Sequence, residues 1–197
     1  MIKKALVLLP LTFFFGCQRS IQSPKTFLDS LFAQARIVHD EEFEYKLSYL
    51  PLDYFMARAL TSESPESISD QKVLRKSIEN QYGGGVFFLL RLGLDSAYRT
   101  NPRAQDGLTE KMVKLQSKQE EGRQEVTARL KNGSEIHPDM FLAQSDWVSH
   151  QGATVLFCFQ GRTMDEIESL EFGKNFVQSS NQIVFAKDLA PKFRLKG

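Results

Sequence analysis

The chain has 197 residues, of which 42% are hydrophobic and 25% are charged, and its formal net charge is +1 at pH 7. These values are typical of one globular domain and exclude a disordered chain or a polytopic membrane protein. A near-neutral chain lacks the broad positive field that binding to nucleic acid requires, so we expect no nucleic-acid partner. The two cysteines, Cys17 and Cys158, are too few for a disulfide scaffold.

The N-terminal segment has the pattern of a secretory leader. Lys3 and Lys4 form a short positive region, and the apolar stretch over residues 5–15 ends at Gly16 and Cys17. This stretch would be about 16 Å long as a helix, whereas the hydrocarbon core of a bilayer is about 30 Å thick. We therefore expect the leader to be cleaved rather than kept as a spanning anchor.

The segment Phe14-Phe15-Gly16-Cys17 resembles the lipobox of bacterial lipoproteins, in which a small residue precedes the cysteine. Phe14 and Phe15 stand where Leu and a small residue are usual in that motif. The resemblance implies that signal peptidase II cuts before Cys17, that the thiol receives diacylglycerol, and that the new amino terminus is acylated, for example with palmitate. The alternative is an ordinary signal peptide that contains a cysteine.

Lipidation at Cys17 would place the protein in the bacterial cell envelope as a membrane-attached but aqueous body. One acyl chain binds membranes only reversibly, and two or three chains make anchoring stable. Gln18 occupies the position where Asp commonly directs retention in the inner membrane, so the resemblance implies the outer membrane. We predict a signal peptide over 1–16, a lipidated tether over 17–23 and a single domain over 24–197.

The helical patterns are concentrated before Gly83. Ser23 and Pro24 are typical of a helix start, and the apolar spacing that follows predicts a helix continuing to Val38. Two further helices are predicted within residues 52–82, the second ending at the glycine triplet 83–85. Residues 95–108 are predicted to be a long connection.

Strands are predicted where apolar and polar residues alternate, or where a continuous apolar run is bounded by turn residues. Strands are predicted at 43–49, 86–92, 112–115, 126–131, 154–159, 168–172, 182–186 and 193–195. The Asn132-Gly133 turn is predicted to lie in a three-residue loop, because that register pairs Ala128 with Ile136. A two-residue loop would place apolar residues opposite charged ones.

Together these elements predict a fold that is mainly β with helices. Seven to nine short strands favour an antiparallel β-sandwich, with the immunoglobulin-like topology as one candidate. An N-terminal helix would precede it, and a helical insertion over about 52–82 would separate its first two strands.

The sequence has no local pattern for a metal or a nucleophile. His39, His137 and His150 lack the spacing of zinc ligands, and the acidic residues near His39 are expected to be solvated. Cys158 lies among aromatic residues, where burial should raise the pKa of its thiol. We therefore predict no metal site and no cofactor.

The glycine triplet and an acidic group are also predicted to have structural rather than catalytic roles. The glycines 83–85 lack the Lys-Ser/Thr ending of a phosphate-binding loop and follow a helix, so we interpret them as a helix stop. Asp165, Glu166 and Glu168 are expected to lie on the surface rather than to act as paired catalytic carboxylates.

Aromatic residues mark the candidate binding surface. Tyr49 and Tyr54 lie in an aromatic-rich segment, and Trp147, the only tryptophan, lies in the polar stretch 144–150. Aromatic side chains anchor interfaces but also build cores, and both interpretations remain open for them.

The leading functional hypothesis is a lipid-anchored envelope protein that acts as a non-enzymatic binding or structural module, attached to the membrane through acyl chains on Cys17 and available to an envelope protein partner. One alternative is an envelope hydrolase whose site is dispersed in sequence. Another is a component of a secretion or surface-appendage assembly.

Overall fold

The computed structural model describes residues 20–40, 42–63, 68–145, 152–173, 182–184 and 193–195. The leader, Cys17, Trp147 and His150 lie outside these ranges, so the predictions about them stay predictions. Among the helices of the described ranges, none has the length and hydropathy needed to cross a bilayer.

The described α-helices all lie before residue 126, and strands predominate after it. In chain order they are β1 (Ser20–Gln22), α1 (Pro24–Ala33), β2 (Arg36–Asp40), β3 (Phe43–Leu50), α2 (Leu52–Glu63), α3 (Ile68–Tyr82), β4 (Gly85–Leu94), α4 (Pro102–Ser117), α5 (Gln119–Gln124), β5 (Val126–Leu130), β6 (Glu135–Ile136), β7 (Met140–Ser145), β8 (Gly152–Gln160), a short 3-10 turn (Met164–Glu166), β9 (Ile167–Phe172), β10 (Gln182–Val184) and β11 (Phe193–Leu195).

The centre of the fold is a five-stranded antiparallel sheet with the strand order β2-β3-β4-β8-β7. A smaller sheet has the order β10-β9-β5-β6, and β1 pairs in parallel with β11. The continuous apolar runs of β4 and β8 explain their central position, because both faces of these strands are covered.

The two faces of the central sheet are covered by different elements. On the first, the core face, the side chains of Tyr45, Phe88 and Phe157 pack with α4 and the smaller sheet. The Phe157 ring meets Phe172 of β9 edge-on, with centroids 6.0 Å apart. On the second, the helix face, Phe87 and other apolar residues pack with α1, α2 and α3.

The first helix begins where the sequence predicts but ends earlier. The Ser23 hydroxyl accepts a hydrogen bond from the Thr26 amide at 3.3 Å, Pro24 occupies the first turn, and Phe27 is fully buried. The predicted continuation to Val38 is wrong, because residues 36–40 form β2 and pair with β3. Pairing at the sheet edge overrides the helical spacing of the apolar residues there.

The predicted strand over 112–115 is wrong, and the predicted connection over 95–108 is correct only for residues 95–101, because α4 begins at Pro102 and continues to Ser117. The Asn101 side chain accepts a hydrogen bond from the Arg103 amide at 3.0 Å, which caps the helix before Pro102. The buried residues Ala104, Leu108 and Leu115 form its packed side. Helices are therefore not confined to the part of the chain before Gly83.

The hairpin prediction is confirmed. Ala128 pairs with Ile136, and Gly133 has a φ of 83°. This left-handed conformation is readily adopted by glycine, which is why the three-residue loop sets the register.

The predicted strands over 43–49, 86–92, 154–159 and 168–172 correspond to β3, β4, β8 and β9. The strand predicted over 182–186 is present as β10, and its last two residues lie outside the described ranges. The sequence missed β7 and the short β1 and β2.

The fold is mainly β with helices, and its two larger sheets are antiparallel. The α2–α3 insertion separates β3 from β4, which are neighbours in the sheet but not the first two strands of the chain. Neither the β-sandwich nor the immunoglobulin-like topology is confirmed.

Candidate functional site

The helix face of the central sheet can be described in rows, because residues directly opposite on neighbouring antiparallel strands share a face. The first row, nearest the helices, is Leu50, Phe87, Cys158 and Met140, and the second is Ser48, Leu89, Leu156 and Leu142. The third row is Ile37, Lys46, Arg91, Thr154 and Gln144. The fourth row is His39, Glu44, Gly93 and Gly152. We call the second and third rows together the open rows.

Coverage by the helices decreases from the first row to the third. Phe87 and Cys158 in the first row are 7% and 1% exposed, whereas Leu142 in the second row is 38% exposed and Ile37 in the third is 48% exposed. Ser48 in the second row is 2% exposed, so the accessible part of the open rows lies at the edge strands β2 and β7.

Arg91 lies in the third row, near the middle of the sheet, and is half-buried. Its guanidinium carbon is 4.4 Å from the ring centroid of Phe32 on α1, a cation–π contact. Within the part of the chain that the structure describes, the Nε of its side chain is buried without a hydrogen-bond partner. Burial lowers the pKa of the Arg91 guanidinium, although electrostatic interactions with Tyr54 and Glu44 act in the opposite direction.

The Glu44 carboxylate, which lies diagonally across from Arg91 on β3, does not form an ion pair with it. Glu44 forms an ion pair with Lys46 at 2.7 Å. Lys46 is itself directly opposite Arg91 on the neighbouring strand, so two cations face each other across β3 and β4. The row therefore has one cation whose charge is matched by a carboxylate and one whose charge is not.

A second polar group without a partner among the described residues lies diagonally across from Arg91 on β3. The Ser48 hydroxyl is on the same face, opposite Leu89, and is buried without a hydrogen-bond partner among the described residues. A buried polar group that lacks a partner typically costs about 1–3 kcal/mol. The combination of Arg91 and Ser48 makes the open rows the candidate ligand-binding site.

The aromatic residues predicted to bind are separated by the fold. Tyr54 on α2 lies edge-on to Phe32, with ring centroids 6.0 Å apart, and so belongs to the surroundings of Arg91. Tyr49 lies on the core face, where its ring is 5.9 Å from that of Phe88. Burial raises the pKa of both tyrosines. The structure thus brings Tyr54, but not Tyr49, to the candidate site.

Sequence analysis missed Arg91 and Ser48. The available signal was a single charged residue inside the apolar run 86–92, which is unusual in a strand covered on both faces. The register of β3 and β4 was needed to place Ser48 and Lys46 beside it.

The other titratable residues considered in the sequence are buried or bonded to neighbouring protein groups. Cys158 is buried as predicted, and burial, together with the negative charge of Asp139, raises the pKa of its thiol to about 11. His39 Nδ1 is 2.7 Å from an Asp95 carboxylate oxygen, and His137 Nδ1 is 3.0 Å from the Val126 carbonyl oxygen. No cluster of three or more metal-binding side chains occurs within the described ranges.

The predicted acidic group over 165–168 and the glycine triplet also have local roles. The Glu166 side chain accepts a hydrogen bond from the Thr163 amide at 2.9 Å and so caps the short turn that precedes β9. Gly85 is the first residue of β4 and lies close to Cys158.

A concave region lies between α5 and β7, with a volume of about 720 Å³. It is lined by Gln119, Glu120, Arg123, Asp139, Met140 and Phe141. Arg123 already binds Glu120 and the Pro138 carbonyl oxygen. Hydrogen bonds from Arg123, and then from Gln124, lower the pKa of Glu120 to about 2. This region therefore has fewer unmatched polar groups than the open rows.

No family model and no curated protein sequence matches this chain. A crystal structure of a protein of unknown function from Burkholderia pseudomallei is similar over 88% of this chain and 94% of that chain, with 11% sequence identity and a TM-score of 0.40.

Proposed function

We propose that this protein is a lipoprotein of the bacterial outer membrane, held by acyl chains on Cys17, and that its folded body is a non-enzymatic binding module. The ligand-binding surface is the pair of open rows. The observation that carries the binding function is the half-buried Arg91 guanidinium, whose Nε has no hydrogen-bond partner among the described residues.

The energetics of Arg91 support a binding role. Desolvating a cation without a carboxylate beside it is unfavourable, and the free energy is recovered only when an anion approaches. The Phe32 contact offsets part of this cost, because cation–π contacts contribute about 0.5–2 kcal/mol. A ligand with a negatively charged group would offset the remainder.

The position of the first strand supports close attachment to the membrane. Ser20 begins β1 three residues after Cys17, so the chain between them can span at most about 10 Å. The body would then lie near the lipid surface. The core shared by the two larger sheets supports a sandwich-like description of this body.

The anchor is tested by the substitution Cys17→Ser in the native host. We expect the protein to move from the membrane fraction to the soluble fraction of the envelope, because no acyl chains can be added. Cys158→Ala is the matched control and should stay in the membrane fraction. Unchanged membrane association of Cys17→Ser would contradict the anchor.

The binding surface is tested by photo-crosslinking from single positions in the full-length protein on native membranes. Ile37 and Leu142 report on the open rows, and the exposed helix residues Val73 and Val113 are controls, being 68% and 58% exposed. We expect a specific adduct from the open rows that disappears when Arg91→Met is added.

The control for charge is Arg75→Met, which removes an exposed arginine from α3. It should leave the adduct unchanged. Equal adducts from all four positions, or no dependence on Arg91, would contradict the proposed binding surface.

A further inference from the structure

We infer that the ligand of the open rows is a single-chain amphiphile that ends in one carboxylate, of the fatty-acid type. Its carboxylate would bind the exposed part of the Arg91 guanidinium, and its apolar chain would lie on Leu89, Leu156 and Leu142. This inference rests on the proposed binding function and adds the chemical class of the ligand.

The charge of the site favours a single negative charge. Arg91 is the cation without a carboxylate, whereas Lys46 is already paired with Glu44. Because Glu44 matches the charge of Lys46, Arg91 contributes one unmatched positive charge, which a single negative charge would neutralise. A monoanionic carboxylate therefore matches the site better than a doubly charged phosphate.

The burial of Arg91 fixes how a carboxylate can approach. Its Nε is buried, so the two terminal nitrogens are the donors that a ligand can reach. Hydrogen bonds from a guanidinium to a carboxylate are short and strong, because both groups are charged. The Phe32 ring holds the guanidinium plane in place before the ligand arrives.

The hydrocarbon chain of the ligand would lie on the apolar surface next to Arg91. Leu89, Leu156 and Leu142 lie side by side on β4, β8 and β7. Strands in a sheet are about 4.8 Å apart, so these three side chains extend over about 10 Å. Leu89 and Leu156 are half-buried against the helices and Leu142 is 38% exposed, so this row leads from partly buried positions on β4 and β8 to the accessible edge strand β7.

The test uses the full-length protein in phosphatidylcholine vesicles and two photoreactive twelve-carbon probes. One probe ends in a carboxylate and the other, with the same chain, ends in an alcohol. After irradiation, mass spectrometry locates the adducts. We expect the carboxylate probe to label the peptides that contain β7 and β8 at least about tenfold more than the alcohol, because the charged hydrogen bonds are lost with the alcohol.

Two substitutions test whether the Arg91 guanidinium causes the preferential labelling by the carboxylate probe. Arg91→Met should lower labelling by the carboxylate probe by about tenfold, whereas Arg75→Met should not. Thr154→Asp places a carboxylate directly opposite Arg91 and should block the probe, whereas the uncharged Thr154→Asn should not. The Thr154 pair remains informative if Arg91→Met does not fold.

Equal labelling by acid and alcohol, or labelling that neither Arg91→Met nor Thr154→Asp lowers, would overturn the inference. If the Arg91-dependent adduct on native membranes persists while the carboxylate probe fails to label, the inference is wrong and the binding function stands. If both are absent, both proposals are wrong.

Discussion

Arg91 is a residue whose position is difficult to explain by stability alone. A half-buried guanidinium without a carboxylate beside it is usually no more stabilising than an apolar side chain of similar volume. Binding sites commonly contain such residues, because groups that recognise a ligand are unsatisfied in its absence. The stability of Arg91 variants therefore separates a structural role from a binding role.

We expect Arg91→Met to lower the free energy of unfolding by no more than about 1 kcal/mol. The substitution loses the contact with Phe32, which contributes about 0.5–1 kcal/mol, but also removes the desolvated charge. Urea unfolding followed by circular dichroism measures the change. A loss of several kcal/mol would instead indicate that Arg91 holds α1 on the sheet.

The close approach of Gly85 to Cys158 gives a second residue-scale prediction. A Cβ atom at Gly85 would be 2.6 Å from the Cys158 sulfur, which is too close for two non-bonded atoms. We expect Gly85→Ala to destabilise the protein by about 1–3 kcal/mol through overpacking. Adding Cys158→Ala removes the sulfur and should recover part of this loss.

The double-mutant cycle checks this explanation by denaturant unfolding of the wild type, both single variants and the double variant. Coupling of about 1 kcal/mol in the favourable direction is expected. Gly84→Ala is the matched control, because no atom lies within 4 Å of a Cβ at that position. Strict additivity would show that the backbone, rather than the sulfur, excludes alanine at Gly85.

At the scale of elements, local capping signals were more reliable than the apolar spacing. Ser23-Pro24 located the start of α1, and the same type of signal at Asn101-Pro102 marks the start of α4. The sequence could therefore have predicted α4. It could not have predicted β2, because the register with β3, rather than any local preference, turns residues 36–40 into a strand.

Aromatic stacking attaches α3 to the rest of the helical layer. The Phe55 and Tyr82 rings are stacked with centroids 4.0 Å apart, and Phe87 of β4 meets both rings edge-on. We expect Tyr82→Ala to release α3 locally while the central sheet stays folded, because the stacking and the buried ring area are lost together.

Hydrogen exchange measures this local release. Amides of α3 should exchange at least about tenfold faster in Tyr82→Ala, whereas amides of β4 should keep their protection. Val73→Ala, at an exposed position of the same helix, should change neither. Equal acceleration in α3 and β4 would show that α3 unfolds only together with the whole domain.

At the scale of the whole molecule, the central sheet separates two apolar clusters. The continuous apolar runs of β4 and β8 correctly predicted strands covered on both faces. Which elements cover each face depends on long-range packing, so the sequence did not assign α4 to the core face. The candidate site required the same information, since Arg91 and Ser48 become neighbours only through the pairing of β3 with β4.

Substitution of Phe157 tests how strongly folding depends on packing at the core face. Its fully buried ring stacks on Phe88, with centroids 5.4 Å apart, and meets Phe172 of the smaller sheet edge-on. We expect Phe157→Asp to prevent folding, because it places an unpaired charge where the two sheets meet and removes aromatic packing. Leu142→Asp, on the partly exposed helix face, should remain folded. Circular dichroism and resistance to proteolysis distinguish the two variants, and a folded Phe157→Asp protein would show that the two sheets do not depend on this shared core.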